Sequence, residues 1–187
     1  MRRLLSTAKV VPSMNVILHS GPASSVETPL LAVPVLSDDD NRGAIFAAVD
    51  ERTGGRLTRI ADEEQFKAKS GQTLLVHCEA PGLSRVLLCG VGKLADLEPT
   101  AGRAMAAAAV SQANSRHLSA VAVCVPEGVD SAAATHFVVQ GAVLGGYRYD
   151  DYLTRDVEEL TCGDLCVVGG SSDAAGDIDK TIAAAKG

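Results

Sequence analysis

The sequence has no tryptophan and only three tyrosines and three phenylalanines in 187 residues. Such a chain cannot organise its interior around large rings; alanine, valine, leucine and glycine must fill it, which suits a tightly packed α/β core. No apolar run approaches the length needed to cross a bilayer, so a membrane-spanning helix is excluded as a reading. Excess positive charge is also missing: the formal net charge is −6, against the concentrated basic face that phosphate binding needs, so nucleic acid is disfavoured as a partner. The first residues, "MRRLLSTAKVV", carry Arg2, Arg3 and Lys9 with no acid before Glu27. They resemble a transit peptide faintly, but lack the continuous apolar core of a secretory signal.

The usual catalytic signatures are missing too. There is no G-x-S-x-G nucleophile elbow, no H-E-x-x-H and no C-x-x-C, since Cys162 and Cys166 stand one residue too far apart. His77-Cys78-Glu79 matches the H-x-E part of a deaminase zinc signature, but no P-C-x-x-C follows. The four histidines (His19, His77, His117 and His136) are scattered, with no local partner that marks an activated nucleophile. The five cysteines are odd in number and irregularly spaced, and Cys78, Cys89 and Cys124 sit inside apolar runs. A disulfide framework is therefore not the expectation. The thiols read as small hydrophobes in a reduced, cytoplasmic compartment.

What is present is a globular composition, 47% apolar and 21% charged, enough for one domain. "LLAVPVL" (30–36) reads as a buried strand that Pro34 should confine to an edge or a bulge. "SDDDN" then supplies caps for a helix over "RGAIFAAVDERTGG", which Gly54-Gly55 should stop. "TLLVHCEA" (73–80) and "RVLLCGVG" (85–92) form two strands joined by a Pro81-Gly82 turn. An Ala-rich helix follows Pro99, with Ala101, Met105, Ala108 and Ala109 as its small face. Strands are expected again at 118–126 and 163–170, with a helix capped by Asp130-Ser131 between them. The later half thus alternates strand and helix, which implies crossover connections. The hairpin before it makes the sheet mixed.

"LLCGVGKLAD" invites a phosphate-loop reading through Gly90, Gly92 and Lys93. Leu87 and Leu94 occupy the positions where the Walker pattern needs Gly and Ser or Thr, and Ala95 replaces the third glycine of the dinucleotide fingerprint. "QGAVLGGYRYDDYL" (140–153) packs three glycines and all the tyrosines into fourteen residues. It could be a ligand cradle. It reads better as a helix end whose face of Ala134, Phe137, Val138, Gly141 and Gly145 presses close to a neighbour, with Gly146 as the stop.

Three segments in this order carry a family resemblance. "GQTLLVHCEAPGLSRVLLCGVGK" (71–93), "GRAMAAAAVSQANSRHLSAVAVCVP" (102–126) and "QGAVLGGYRYDDYLT" (140–154) resemble the N-terminal domain of leucyl aminopeptidases, the cytosol aminopeptidase family. Two departures are Gln140 where Glu is usual and Thr154 where Lys is common. The resemblance implies an α/β fold related to macro domains: a mixed central sheet flanked by helices, one domain over 30–170. Residues 1–29 would be a leader or first strand, and 171–187 a linker helix leading toward a catalytic domain.

It further implies that catalysis lies elsewhere. In the family, two divalent metals (Zn or Mn) are held by Asp, Glu and Lys residues of a separate C-terminal domain, with motifs such as N-T-D-A-E-G-R that this sequence does not contain. No catalytic or metal residue is therefore carried over. The implied role is a non-catalytic accessory or assembly domain, of either a fragment or a free-standing homologue. Its partners would be a catalytic aminopeptidase domain or further copies of itself. The alternative is a ligand module, since macro domains elsewhere bind ADP-ribose at strand ends. Its candidate contacts are the Gly90, Gly92, Lys93 turn and the Gly169-Gly170 turn.

Overall fold

The computed structural model describes residues 14–38, 41–146 and 161–171. The basic leader, two of the three consecutive aspartates, the three tyrosines and the terminal helix expected after 171 lie outside the described residues. Six strands make one sheet: β1 (Asn15–His19), β2 (Leu31–Leu36), β3 (Thr73–Ala80), β4 (Leu83–Gly92), β5 (Ala120–Cys124) and β6 (Asp164–Val168). Their spatial order is β1-β6-β5-β2-β4-β3. Every neighbouring pair is parallel except β3–β4, which is antiparallel. The mixed sheet is thus as the hairpin and the later crossovers require.

Pro34 corrects one expectation. Its strand is central, between β5 and β4, although a register shift does fall beside it at Val35/Leu36. The ladder to β5 is confined to Leu31 and Ala32, so Pro34 lies past the stretch where β5 needs a donor. A missing ladder bond costs about 1 kcal/mol. Burying each flanking side chain, Val33 and Val35, is worth about 1.5–3 kcal/mol, and both are fully buried. Burial wins.

Alternation along the central strands feeds two cores, one on each face of the sheet. Leu87, Cys89 and Val91 of β4 point with Ala32 into the core under two helices, α3 (Ala101–Asn114) and α4 (Ser131–Gly145). Val86 and Leu88 point with Leu31, Val33 and Val35 to the opposite face. That face is covered by α1 (Ala44–Arg52) and α2 (Arg56–Glu63). The latter helix was not read from the sequence. Its apolar contacts are Leu57 and Ala61, four residues apart on one face, with Ile60 beside them. Its start is supplied by a residue of the previous helix, Asp50, whose Oδ1 accepts from the Leu57 and Thr58 amides at 2.8 and 3.1 Å.

Two further details differ from expectation. The N-cap of α1 is Gly43, without a side-chain acceptor, and Asn41 Oδ1 receives the Gly43 amide at 2.9 Å. On α3 the buried set is Gly102, Met105, Ala106, Ala109, Val110 and Ala113, whereas Ala101 and Ala108 are only partly buried. The face is turned because α3 must satisfy both the sheet and α4. Asp130 does cap α4, accepting the Ala133 amide at 2.7 Å, and Gly146 ends it. Ala134, Val138 and Gly141 are buried as the small face requires, while Phe137 is half-buried under the Arg103 guanidinium at 4.8 Å.

Candidate functional site

Five mutually parallel strands end at one edge of the sheet, and in α/β proteins ligands bind beyond the carboxyl ends of such strands. Both glycine turns singled out from the sequence lie there. Gly90, Gly92 and Lys93 close β4, and Gly169-Gly170 follow β6. In the sheet β5 and β2 stand between them, three strand spacings or about 14 Å. The structure brings them to one edge but not to one another.

Three of their amides are occupied by the protein itself. Gly90 N donates to Gln72 O at 2.7 Å and Gly92 N to Ala68 O at 3.1 Å. Gly169 N donates to His19 O at 3.3 Å. A β-carbon on Gly90 would stand 2.3 Å from Lys69 O, so glycine there lets the 66–72 segment cross the strand. Gly92, at φ +80°, makes the turn out of the strand. Gly170 is backed by Val167, Thr135 and Leu18. Lys93 is exposed.

Between the ends of β2, β4 and β5 is a crevice of only about 20 Å³, lined by residues that include Pro34, Leu36, Val91, Leu97 and Glu127. That volume is close to the minimum for one water molecule, far below the roughly 300–1,000 Å³ of ligand pockets. Carboxylates reach amides at this edge, and of the two pairs, Glu127 and Ile45 line the crevice itself. Asp38 Oδ2 accepts from Leu94 N at 3.0 Å, and Glu127 Oε2 accepts from Ile45 N in the first turn of α1 at 3.3 Å. Sequence reading assigned Asp38 to capping and passed over Glu127. Their partners are 56 and 82 residues away, so no local signal marks them.

A cleft of about 490 Å³ opens along α1 and α2, lined by Arg42, Phe46, Asp50, Glu51 and Thr58 among others. Asp50 caps α2, and Arg42 Nη2 pairs with Asp62 at 2.5 Å, its guanidinium 5.6 Å from the Phe46 ring centre, while the buried Arg42 Nη1 has no hydrogen-bond partner among the described residues. His19 Nε2 is 3.3 Å from Ser25 Oγ, but that hydroxyl gives its proton to Pro22 O at 2.8 Å. The histidine therefore does not act on it as a base. His77 and Glu79 are both exposed on β3. Among the described residues no three His, Cys, Asp or Glu side chains gather as a metal site.

The thiols are likewise quiet. Cys78, Cys89, Cys124 and Cys162 are buried, Cys166 is half-buried, and all five are free. Burial raises every one of them: the Cys89 thiol is pushed up to about 12 and that of Cys162 to about 11. Cys124 is pushed higher by burial first, and then by Cys166, Cys89 and Glu127. Thiolate chemistry at neutral pH is disfavoured at each site.

Comparison with known proteins agrees with this geometry. Residues 32–156 match the N-terminal domain of the cytosol aminopeptidase family. A probable cytosol aminopeptidase of Geobacter sp. (strain M21) is 35% identical over 134 residues, 71% of this chain and 27% of the relative. Another from Gluconobacter oxydans (strain 621H) is 34% identical over 154 residues, 78% of this chain and 29% of the relative. The chain thus spans less than a third of the length of these relatives. Among solved structures, a tomato leucine aminopeptidase mutant superposes with a TM-score of 0.76 at 21% identity, over 95% of this chain and 36% of that one. An Oceanobacillus iheyensis macrodomain mutant superposes with a TM-score of 0.68 at 14% identity, over 92% of this chain and 94% of that one. A Trypanosoma brucei macrodomain in complex with ADP-ribose gives 0.63 at 16%, over 92% and 69%. At such identities the likeness concerns fold, and the fold is macro-domain-like. With residues 32–156 fitting the family model directly, this chain belongs to the cytosol aminopeptidase family and carries its N-terminal domain.

Proposed function

We propose that this chain is a non-catalytic accessory and assembly domain of a leucyl aminopeptidase-type metallopeptidase. The observation that carries the reading is the correspondence of residues 32–156 to the family's N-terminal domain, within relatives of which the match covers less than a third. In this reading, peptide hydrolysis belongs to a partner catalytic domain that holds two divalent metals. The described residues offer no ligand set that fits such metals. The partners are that catalytic domain and further copies of the chain, and the compartment is the cytoplasm, in line with cytosolic relatives and five free thiols.

The test is direct. Purified chain incubated with a leucine anilide and added Mn²⁺ or Zn²⁺ should show no turnover above buffer. Robust metal-dependent turnover would overturn the proposal. A ligand-module reading, through Gly90, Gly92, Lys93, Gly169 and Gly170, has the fold in its favour, but the amides of Gly90, Gly92 and Gly169 already serve the backbone.

A further inference from the structure

We propose that the carboxyl-edge crevice is a closed joint in which the chain's own carboxylates take the positions that a phosphate-bearing ligand would need. Helix N-termini and loop amides at this edge attract anions because their N–H groups are unpaired and the helix dipole is positive there. Here Glu127 takes the Ile45 amide of α1, Asp38 takes the Leu94 amide beyond β4, and Asp130 takes the Ala133 amide of α4. A diphosphate would have to displace a carboxylate or lie beside one.

The same contacts lace the loops together. Asp38 ties the loop after β2 to the loop after β4, reinforced by Ser37 N donating to Gly92 O at 2.9 Å. Glu127 ties the loop after β5 to α1. Leu94 lies against Gly128, where an added β-carbon would be 2.8 Å from its Cδ1, so the loops after β4 and β5 also touch. The remaining space of about 20 Å³ is the residue of that closure. A ligand would therefore have to break at least two charge-assisted hydrogen bonds and part three loops before gaining any contact of its own.

The inference does not rest on the accessory role; a chain that hydrolysed peptides would leave it standing. The experiment is amide NMR on the full chain. In the wild type, ADP-ribose, ADP and inorganic pyrophosphate up to millimolar concentration should leave the Ile45 and Leu94 resonances unmoved, with both amides exchanging slowly. Glu127→Ala should speed Ile45 exchange several-fold, Asp38→Ala should do so for Leu94, and Glu127→Gln, which keeps the acceptor, should retain most of the protection. Saturable shifts of the wild-type amides with any of the three ligands would overturn the proposal. So would an Ile45 exchange rate indifferent to Glu127→Ala. Should the alanine variants not fold, the wild-type titration together with Glu127→Gln decides the matter alone.

Discussion

Gly141 of α4 sits so close to Arg103 of α3 that a β-carbon added to it would stand 2.1 Å from the Arg103 carbonyl oxygen. The clash is with backbone, which cannot swing aside as a side chain can. Gly145 against Ala107 and Gly102 against Val138 continue the seam, with added β-carbons 2.7 and 2.8 Å from their neighbours. The two helices approach as closely as they do because these positions lack side chains.

Gly141→Ala should therefore destabilise the fold although alanine is the better helix former. Helix propensity would gain about 1 kcal/mol. Forcing the helices apart costs about 1–3 kcal/mol or more, and Gly141→Leu should cost more again. The melting temperature should fall by about 2–4 °C per net kcal/mol lost. Gly163→Ala is the control, since its β-carbon meets nothing within 4 Å. It should be neutral or gain about 0.4–1 kcal/mol. Equal melting temperatures for the Gly141 variants and the wild type would contradict the packing argument.

Arg52 bridges two loops with one fork. Its Nη1 donates to Val26 O at 2.6 Å and its Nη2 to Pro81 O at 2.5 Å. Arg52→Ala should cost about 1–3 kcal/mol through two lost charge-assisted bonds. Arg52→Lys should recover only part of that, because a single ammonium does not reproduce the planar fork. Urea unfolding of the three proteins checks the order; full recovery by lysine would refute the bidentate role.

Asp50 is the cap of a helix it does not belong to. Beyond the Leu57 and Thr58 amides, its Oδ2 accepts from Thr58 Oγ1 at 2.5 Å. Asp50→Ala should cost about 0.5–2 kcal/mol and Asp50→Asn less, since one oxygen acceptor remains. Amide exchange at Leu57 and Thr58 should rise in the alanine variant. Unaltered protection at both amides would show that α2 starts without it.

The thiols make stability fall at alkaline pH. Cys89 is raised from 9.0 to about 12 by burial. The folded protein thus holds a proton that the unfolded chain releases. Its contribution is complete below pH 9 and is lost as pH rises through the window from 9 to about 12. The urea midpoint should decline across that window, with a shallower decline in Cys89→Ala. A pH-independent midpoint between pH 9 and 11 would count against buried neutral thiols. With thiol reagents at pH 8, half-buried Cys166 should label before the four buried cysteines.

Much of the frame was legible because its causes are local. "TLLVHCEA" forms β3 over the residues its apolar run marks, and Pro81-Gly82 turns the hairpin. Asp130 starts α4 through a contact three residues away. By contrast α2 was missed: its cap is Asp50, seven residues before Leu57 and on another helix. The candidate turns lie at the carboxyl edge of the parallel strands, but the use of the Gly90, Gly92 and Gly169 amides depends on Gln72, Ala68 and His19, which no nearby pattern ties to them.

The alternation of strand and helix, the small-residue seam and the family were legible along the chain, because periodicity, turn residues and helix glycines act over a few positions. It took the assembled fold to place Pro34 in a central strand, to set which face α3 turns inward, and to bring Asp38 and Glu127 onto the Leu94 and Ile45 amides. Those outcomes depend on which strands become neighbours. Neighbours in a crossover sheet are set by packing over many tens of residues, where a carboxylate and the amide it satisfies share no local signature.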